Sequence, residues 1–135
     1  MAMLEWNDKL SVGIDEIDVQ HKELVRIINT VHDQMTDGDY NESFLCTIVD
    51  DLHHYAAVHF GMEESLMEKY NYPYMLNHKN KHTEFIDKIV SVANGHGRGA
   101  CSINMDILNY LSDWLITHIN VMDKELGVFL ADKMD

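Results

Sequence analysis

Histidines and carboxylates recur along this chain at spacings suited to holding a metal. His21 stands alone, Glu63 follows His59 by four residues, His82 follows His78 by four, and Asp123 follows His118 by five. Two donors four apart on an α-helix share one face about a turn apart, so both can grip one ion. Imidazole and carboxylate donors without a neighbouring thiolate suit iron, manganese or zinc. A single histidine on an apolar face is ordinarily a hydrogen-bonded core residue. Here four separate segments each carry one, and burying so many rings at one level without an ion would leave donors and acceptors unpaired.

The elements that carry these residues read as all-α. Proline occurs once, at Pro73, and helix formers dominate between a few turn clusters. A first helix is expected from about Asp18 to Met35, with Ile17, His21, Leu24, Val25, Ile28, Val31 and Met35 at three- and four-residue spacing. A second starts near Asn41 and presents Phe44, Ile48, Leu52, Tyr55, His59, Met62 and Leu66 until Asn71-Tyr72-Pro73 stops it. A third begins near Tyr74 with His78, His82, Phe85, Ile89 and Val92, and ends in the glycine-rich stretch Asn94 to Gly99. A fourth begins near Ser102 or Asn104 and presents Ile107, Leu111, Trp114, His118 and Met122. Beyond Asp123 the pattern continues through Leu126, Phe129 and Leu130, as an extension or a separate short helix.

Short connections between long helices give an antiparallel up-down-up-down four-helix bundle. The chain reads as one domain, residues 1–135, with an N-terminal arm over 1–17 and the bundle over 18–135. If the first helix runs up, His21 lies low, His59 and Glu63 come low on the descending second helix, His78 and His82 start the third, and His118 and Asp123 end the fourth. All seven then share one level. Other residues fail this test. His53 and His54 lie roughly 120° and 140° around the helix from His59, His32 shares the stripe of His21 but sits about 16 Å higher, His96 falls in the glycine-rich loop, and Glu64 rotates off the face. The five-residue step from His118 to Asp123 separates them by about 140° on a regular helix. A π-bulge would bring them together, or Asp123 reaches sideways between two ions, or it is a solvated residue paired with Lys124.

Counting positions favours two ions with a vacancy. Two six-coordinate ions offer twelve places; five imidazoles and two bridging carboxylates fill nine, a solvent-derived oxo or hydroxo bridge fills two more, and one is left for a small ligand. Composition narrows the partners. Asp and Glu number 23 against 10 Lys and Arg, a net charge of -13, so nothing here would gather nucleic-acid phosphates or an anionic membrane surface. Cys46 and Cys101 lack the close pairing of a zinc or redox motif and are too few for a disulfide framework, which points to a reducing compartment and no cysteine chemistry. There is no basic stretch followed by an apolar signal segment and no run of about 18 apolar residues. The chain reads as soluble and cytoplasmic.

The full motif set resembles the hemerythrin family, its bacterial single-domain or domain-type members in particular. The resemblance spans nearly the whole chain: Trp6-Asn7 in the arm, Asp18-Val19-Gln20-His21, His59-Phe60-Gly61-Met62-Glu63, Tyr72-Pro73 before His78-Lys79-Asn80-Lys81-His82, and Trp114-Leu115 before His118-Ile119-Asn120-Val121-Met122-Asp123. It implies a non-haem di-iron centre with an oxo or hydroxo bridge. By position-matching, His78, His82 and His118 would hold one iron and His21 and His59 the other, with Glu63 and Asp123 bridging and O2 binding reversibly at the two-histidine iron. Phe60, Trp114, Leu115 and Ile119 match positions that line the ligand cavity, where apolar walls keep out water and protons. One position departs: relatives often carry a tyrosine three residues after the bridging aspartate, where this chain has Leu126.

The expected role is a binding protein for O2 storage, delivery or sensing, and not an enzyme. A monomer is expected, whether the chain is complete or a domain of a larger signalling protein. The competing classes are a di-iron redox enzyme acting on peroxide or nitric oxide, and a sensor domain. Ferritin-like oxidases use a Glu-x-x-His pair on each of two helices. This sequence contains no such pair, and the near misses Asp50/His53 and Asp51/His54 lie off the inward face. Zinc or manganese would also accept these ligands.

Overall fold

The computed structural model describes residues 3–37, 42–93 and 103–134. Four helices form the bundle: α1 (Asp15–Thr36), α2 (Glu42–Lys69), α3 (Met75–Ala93) and α4 (Met105–His118). A π-helical segment, Ile119–Asp123, continues α4 directly into α5 (Lys124–Lys133). The expected His96 lies outside the described residues, as does the glycine-rich stretch around it.

Local chemistry sets the ends. Asn104 caps α4, its side chain accepting the Ile107 N–H at 2.9 Å. α2 stops where Asn71 adopts φ 56°. There the Tyr72 N–H reaches back to the Met67 carbonyl at 2.8 Å and the Asn71 N–H to Glu68 at 3.3 Å. This is the left-handed cap that asparagine tolerates, and Pro73 then prevents resumption of the helix. α1 begins at Asp15, three residues earlier than the periodicity suggests, and the arm before it contains a 3-10 turn, Asp8–Leu10.

The arm is fastened rather than loose. Leu4 and the Asn29 side chain exchange two 2.8 Å hydrogen bonds. Asp18 accepts from the Val12 N–H at 2.8 Å and from the Ser11 hydroxyl at 2.5 Å. Leu10, Val12 and Ile14 are buried beneath it. The arm therefore lies along the flank of the bundle, with Leu4 tied to Asn29 of α1 and the Ser112 hydroxyl of α4 3.4 Å from the Met3 sulfur.

Inside the bundle, Leu24, Ile28 and Val31 of α1 meet Leu45, Val49 and Leu52 of α2, Phe85 and Ile89 of α3, and Leu108 and Leu111 of α4. Each such side chain, fully buried, contributes roughly 1.5–3 kcal/mol. Ile17, Met67, Leu126 and Leu130 form a thinner apolar layer at the other end, so the histidine level is enclosed from both sides.

Two expectations change. The buried seam of α2 runs through Leu45, Val49, Leu52, Ala56, His59 and Glu63, in alternating steps of four and three. Phe44, expected on the stripe, is 50% exposed. Cys46 is half-buried and disulfide-bonded, a role that the sequence reading did not give to either cysteine. Among the described residues no helix is long and apolar enough to cross a membrane.

Gly61 lies inside α2 with open space where a Cβ would sit. Gly61→Ala is expected to stabilise the fold by up to about 1 kcal/mol through helix propensity alone, read as a rise in the thermal midpoint; an unchanged or lower midpoint would show that the space is not free.

Candidate metal centre

All seven singled-out residues converge between the two apolar layers, each at most 4% exposed. They fall into two overlapping groups of potential ligand atoms: Glu63, His78, His82, His118 and Asp123, and His21, His59, Glu63 and Asp123. Within each group the ligand atoms lie within 4.8 Å of one another. The two carboxylates belong to both, and their oxygens divide between them. Glu63 Oε1 faces His82 Nε2 (3.1 Å) and His78 Nε2 (3.8 Å), while Oε2 faces His59 Nε2 (3.5 Å) and His21 Nε2 (3.8 Å). Asp123 Oδ1 faces His78 Nε2 (2.9 Å) and His118 Nε2 (3.1 Å), while Oδ2 faces His21 Nε2 (2.8 Å).

The π segment supplies Asp123. The Lys124 N–H bonds to the Ile119 carbonyl five residues back, which widens the helix by one residue and lets His118 and Asp123 share a face. Both solutions to the awkward spacing therefore operate together, because Asp123 also points one oxygen at each group. His53 is half-buried and His54 exposed on α2, and His32 is half-buried beside Asp33, its Nδ1 3.7 Å from Oδ1. None of these three enters either group.

Several of the close approaches are not hydrogen bonds. His21 Nε2 and Asp123 Oδ2 are 2.8 Å apart, yet neither has a hydrogen-bond partner. The same is true of both Glu63 oxygens and of Nε2 in His59, His82 and His118. Apart from His32 Nδ1, every buried side-chain nitrogen or oxygen without a partner among the described residues belongs to these seven. An unsatisfied buried polar group costs about 1–3 kcal/mol, so this concentration is tolerable only if the atoms have a common partner. Lone pairs aimed at shared points are what cations at two neighbouring positions require, and the residues fit such a centre.

Charge behaviour agrees. Burial, reinforced by His21, holds His59 down at about 3, and burial with His118 and His78 holds His82 well below the usual histidine value; both stay neutral, as ligands must. For His78 burial also acts downward, but the hydrogen bond to Asp123 and the nearby Glu63 carboxylate outweigh it and raise it to about 9. Burial and the neighbouring Asp123 charge push Glu63 well above the usual carboxylate range. Burial acts the same way on Asp123, but His118, His21 and His78 overcome it and keep that carboxyl well below its ordinary value. Burial and the neighbouring carboxylate therefore work against the ionised form of Glu63, and cations at the two positions would favour it.

The aromatic residues pack on the five-donor side. Phe60 stacks on His82 with centroids 4.0 Å apart and Trp114 on His118 at 4.5 Å. Phe60 also lies 5.6 Å from His59, so it spans both groups. Leu115 and Ile119 are fully buried next to them in the chain. Leu126 is fully buried as well, and the nearby Tyr72 hydroxyl donates outward to Glu125 at 3.3 Å.

Two participants escaped the sequence. The Gln20 Oε1 lies 2.6 Å from His59 Nδ1, and Glu64 Oε2 lies 2.9 Å from His82 Nδ1. Glu64 is indeed off the inward face, but from there it grips the far side of a ring on the next helix. The available signal was adjacency: each is a polar residue directly beside a donor, Gln20 before His21 and Glu64 after Glu63.

An all-helical bundle with a buried two-compartment histidine and carboxylate cluster defines a cation-binding protein of the helical-bundle class. The chain belongs to the hemerythrin family: the hemerythrin HHE cation binding domain matches residues 12–130. It is 33% identical over 124 residues to bacteriohemerythrin of Stenotrophomonas maltophilia, covering 92% of this chain and 79% of that one. It is 29% identical over 132 residues to bacteriohemerythrin of Methylococcus capsulatus, covering 97% and 99%. The crystal structure of a wild-type hemerythrin superposes with a TM-score of 0.85 at 29% identity, covering 93% of this chain and 96% of that one.

Proposed function

We propose that the centre holds two iron ions with an oxo or hydroxo bridge and binds O2 reversibly, for storage, delivery or sensing, without catalytic turnover. The observation that carries this reading is the inequality of the two groups. Three imidazoles and two carboxylate oxygens face one position, and two imidazoles with two carboxylate oxygens face the other. His78, His82 and His118 would hold the first ion, His21 and His59 the second, with Glu63 and Asp123 bridging. The second position then retains room for one small molecule. Iron held by these residues would supply the reversible electron donation that O2 binding requires.

The chain's own residues keep the exchange reversible. Phe60, Leu115 and Ile119 are buried and apolar around the cluster, and Trp114 covers His118; in this reading they line the ligand cavity and exclude water, which would otherwise promote irreversible oxidation. Bacteriohemerythrin relatives over nearly the full length support the same role.

The test is an anaerobic titration of the reduced, iron-loaded protein with O2. A visible absorption band that appears with O2 and disappears on deoxygenation through repeated cycles is expected. Oxidation in a single step with no reversible band would overturn the carrier reading and favour a redox enzyme.

A further inference from the structure

The outer nitrogens of the five imidazoles are not treated alike. Nδ1 of His21, His78 and His118 has no hydrogen-bond partner among the described residues. Nδ1 of His59 meets Gln20, and Nδ1 of His82 meets Glu64. These two histidines fall in different groups, His59 in the four-donor set and His82 in the five-donor set. Each compartment thus contains one tethered imidazole. Their Nε2 atoms face Glu63 at 3.5 and 3.1 Å, so Nδ1 carries the proton in both and donates it outward.

The tethers differ in charge. Gln20 is a half-buried neutral amide at the end of the second turn of α1. Glu64 is a carboxylate with a side chain 29% exposed, at the rim of a shallow notch between α2 and α3 formed with Ala57, Phe60, Gly61, Thr83 and Ile86. Phe60 lies parallel to His82 at 4.0 Å, so that ring is held on its face as well as at its edge. An anionic acceptor draws the Nδ1 proton more strongly than an amide and raises the donor strength of the opposite nitrogen.

We propose that Gln20 and Glu64 are positioning residues that fix the tautomer of one imidazole in each compartment and make the compartments electronically unequal, with Glu64 favouring the higher charge on the three-histidine ion. The assignment rests on the di-iron reading above. It concerns the resting electronic balance of the centre and requires no contact between either side chain and the bound ligand.

Four variants of the full chain separate hydrogen bonding from charge. Glu64→Gln keeps an acceptor oxygen but removes the charge, Glu64→Ala removes both, and Gln20→Glu adds a charge to the other compartment. Glu68→Gln removes a charge from an exposed position on the same helix and serves as the control. The readouts are Fe2+ uptake by metal-free protein in competition with a chelator, and the midpoint potential of the loaded centre in an anaerobic redox titration.

Glu64→Gln is expected to keep wild-type uptake while shifting the potential positive. Glu64→Ala is expected to weaken uptake about tenfold as well, Gln20→Glu to shift the potential negative, and Glu68→Gln to change neither. If wild type loads two ions but Glu64→Gln matches Glu68→Gln in potential, or Glu64→Ala binds iron as wild type does, the positioning role is overturned and the di-iron reading stands. If wild type itself fails to load two ions, both fall.

Discussion

Iron reconstitution of His78→Ala followed by desalting is expected to leave far less than the two ions per chain expected of the wild type, whereas His53→Ala retains the full complement. His78 Nε2 lies 2.9 Å from Asp123 Oδ1 and 3.8 Å from Glu63 Oε1, so its loss removes a donor from the five-donor group and leaves two buried carboxylates facing a hole. Removing one partner from a buried charged arrangement costs about 3–5 kcal/mol, and metal affinity falls with the donor count. His53 is a half-buried histidine on α2 that enters neither group. Metal analysis beside circular dichroism, which reports whether each variant folds, makes the comparison; equal iron retention by two folded variants would contradict the assignment of His78 as a ligand.

That the cluster could be read before the fold follows from helix arithmetic. Steps of four fix the face, and the turn chemistry between helices fixes the height, so His59/Glu63 and His78/His82 needed nothing further. His118 and Asp123 break the four-residue rule, and the π segment that reconciles them is a local departure which the spacing demanded but composition could not announce. Phe44 went astray for a related reason. Helices packed in a bundle meet along a seam that repeats about every 3.5 residues, and the expected stripe of α2 opens with two successive steps of four, from Phe44 to Ile48 to Leu52, which departs from that alternation at its first residue. Leu45 and Val49 keep the alternation of four and three that leads to His59, and Phe44 falls one position outside it. Gln20 and Glu64 were hidden because their roles depend on which helix lies beside their own, a relation the period of a single helix does not contain.

Gly127→Ala carries the second large effect, and its sign runs against helix propensity. In the interior of α5, alanine is favoured over glycine by about 1 kcal/mol, yet a Cβ at Gly127 would sit 2.1 Å from the Val12 carbonyl oxygen and 3.1 Å from its carbon. The obstructing atom is backbone, so no rotamer relieves the clash. Nor can the arm retreat freely, because the Val12 N–H is tied to Asp18 Oδ1 at 2.8 Å and Leu10, Val12 and Ile14 are buried on both sides of the contact. Overpacking a core costs about 1–3 kcal/mol and occasionally more, and lifting the arm would expose side chains worth roughly 1.5–3 kcal/mol each when fully buried. The net expectation is destabilisation by about 2 kcal/mol or more, a fall in thermal midpoint on the order of 10 °C. Gly61→Ala moves the midpoint the other way, although both glycines lie inside helices. The two opposite shifts test whether the arm crosses α5 at Gly127: a Gly127→Ala protein as stable as wild type would mean that Val12 does not lie against that turn.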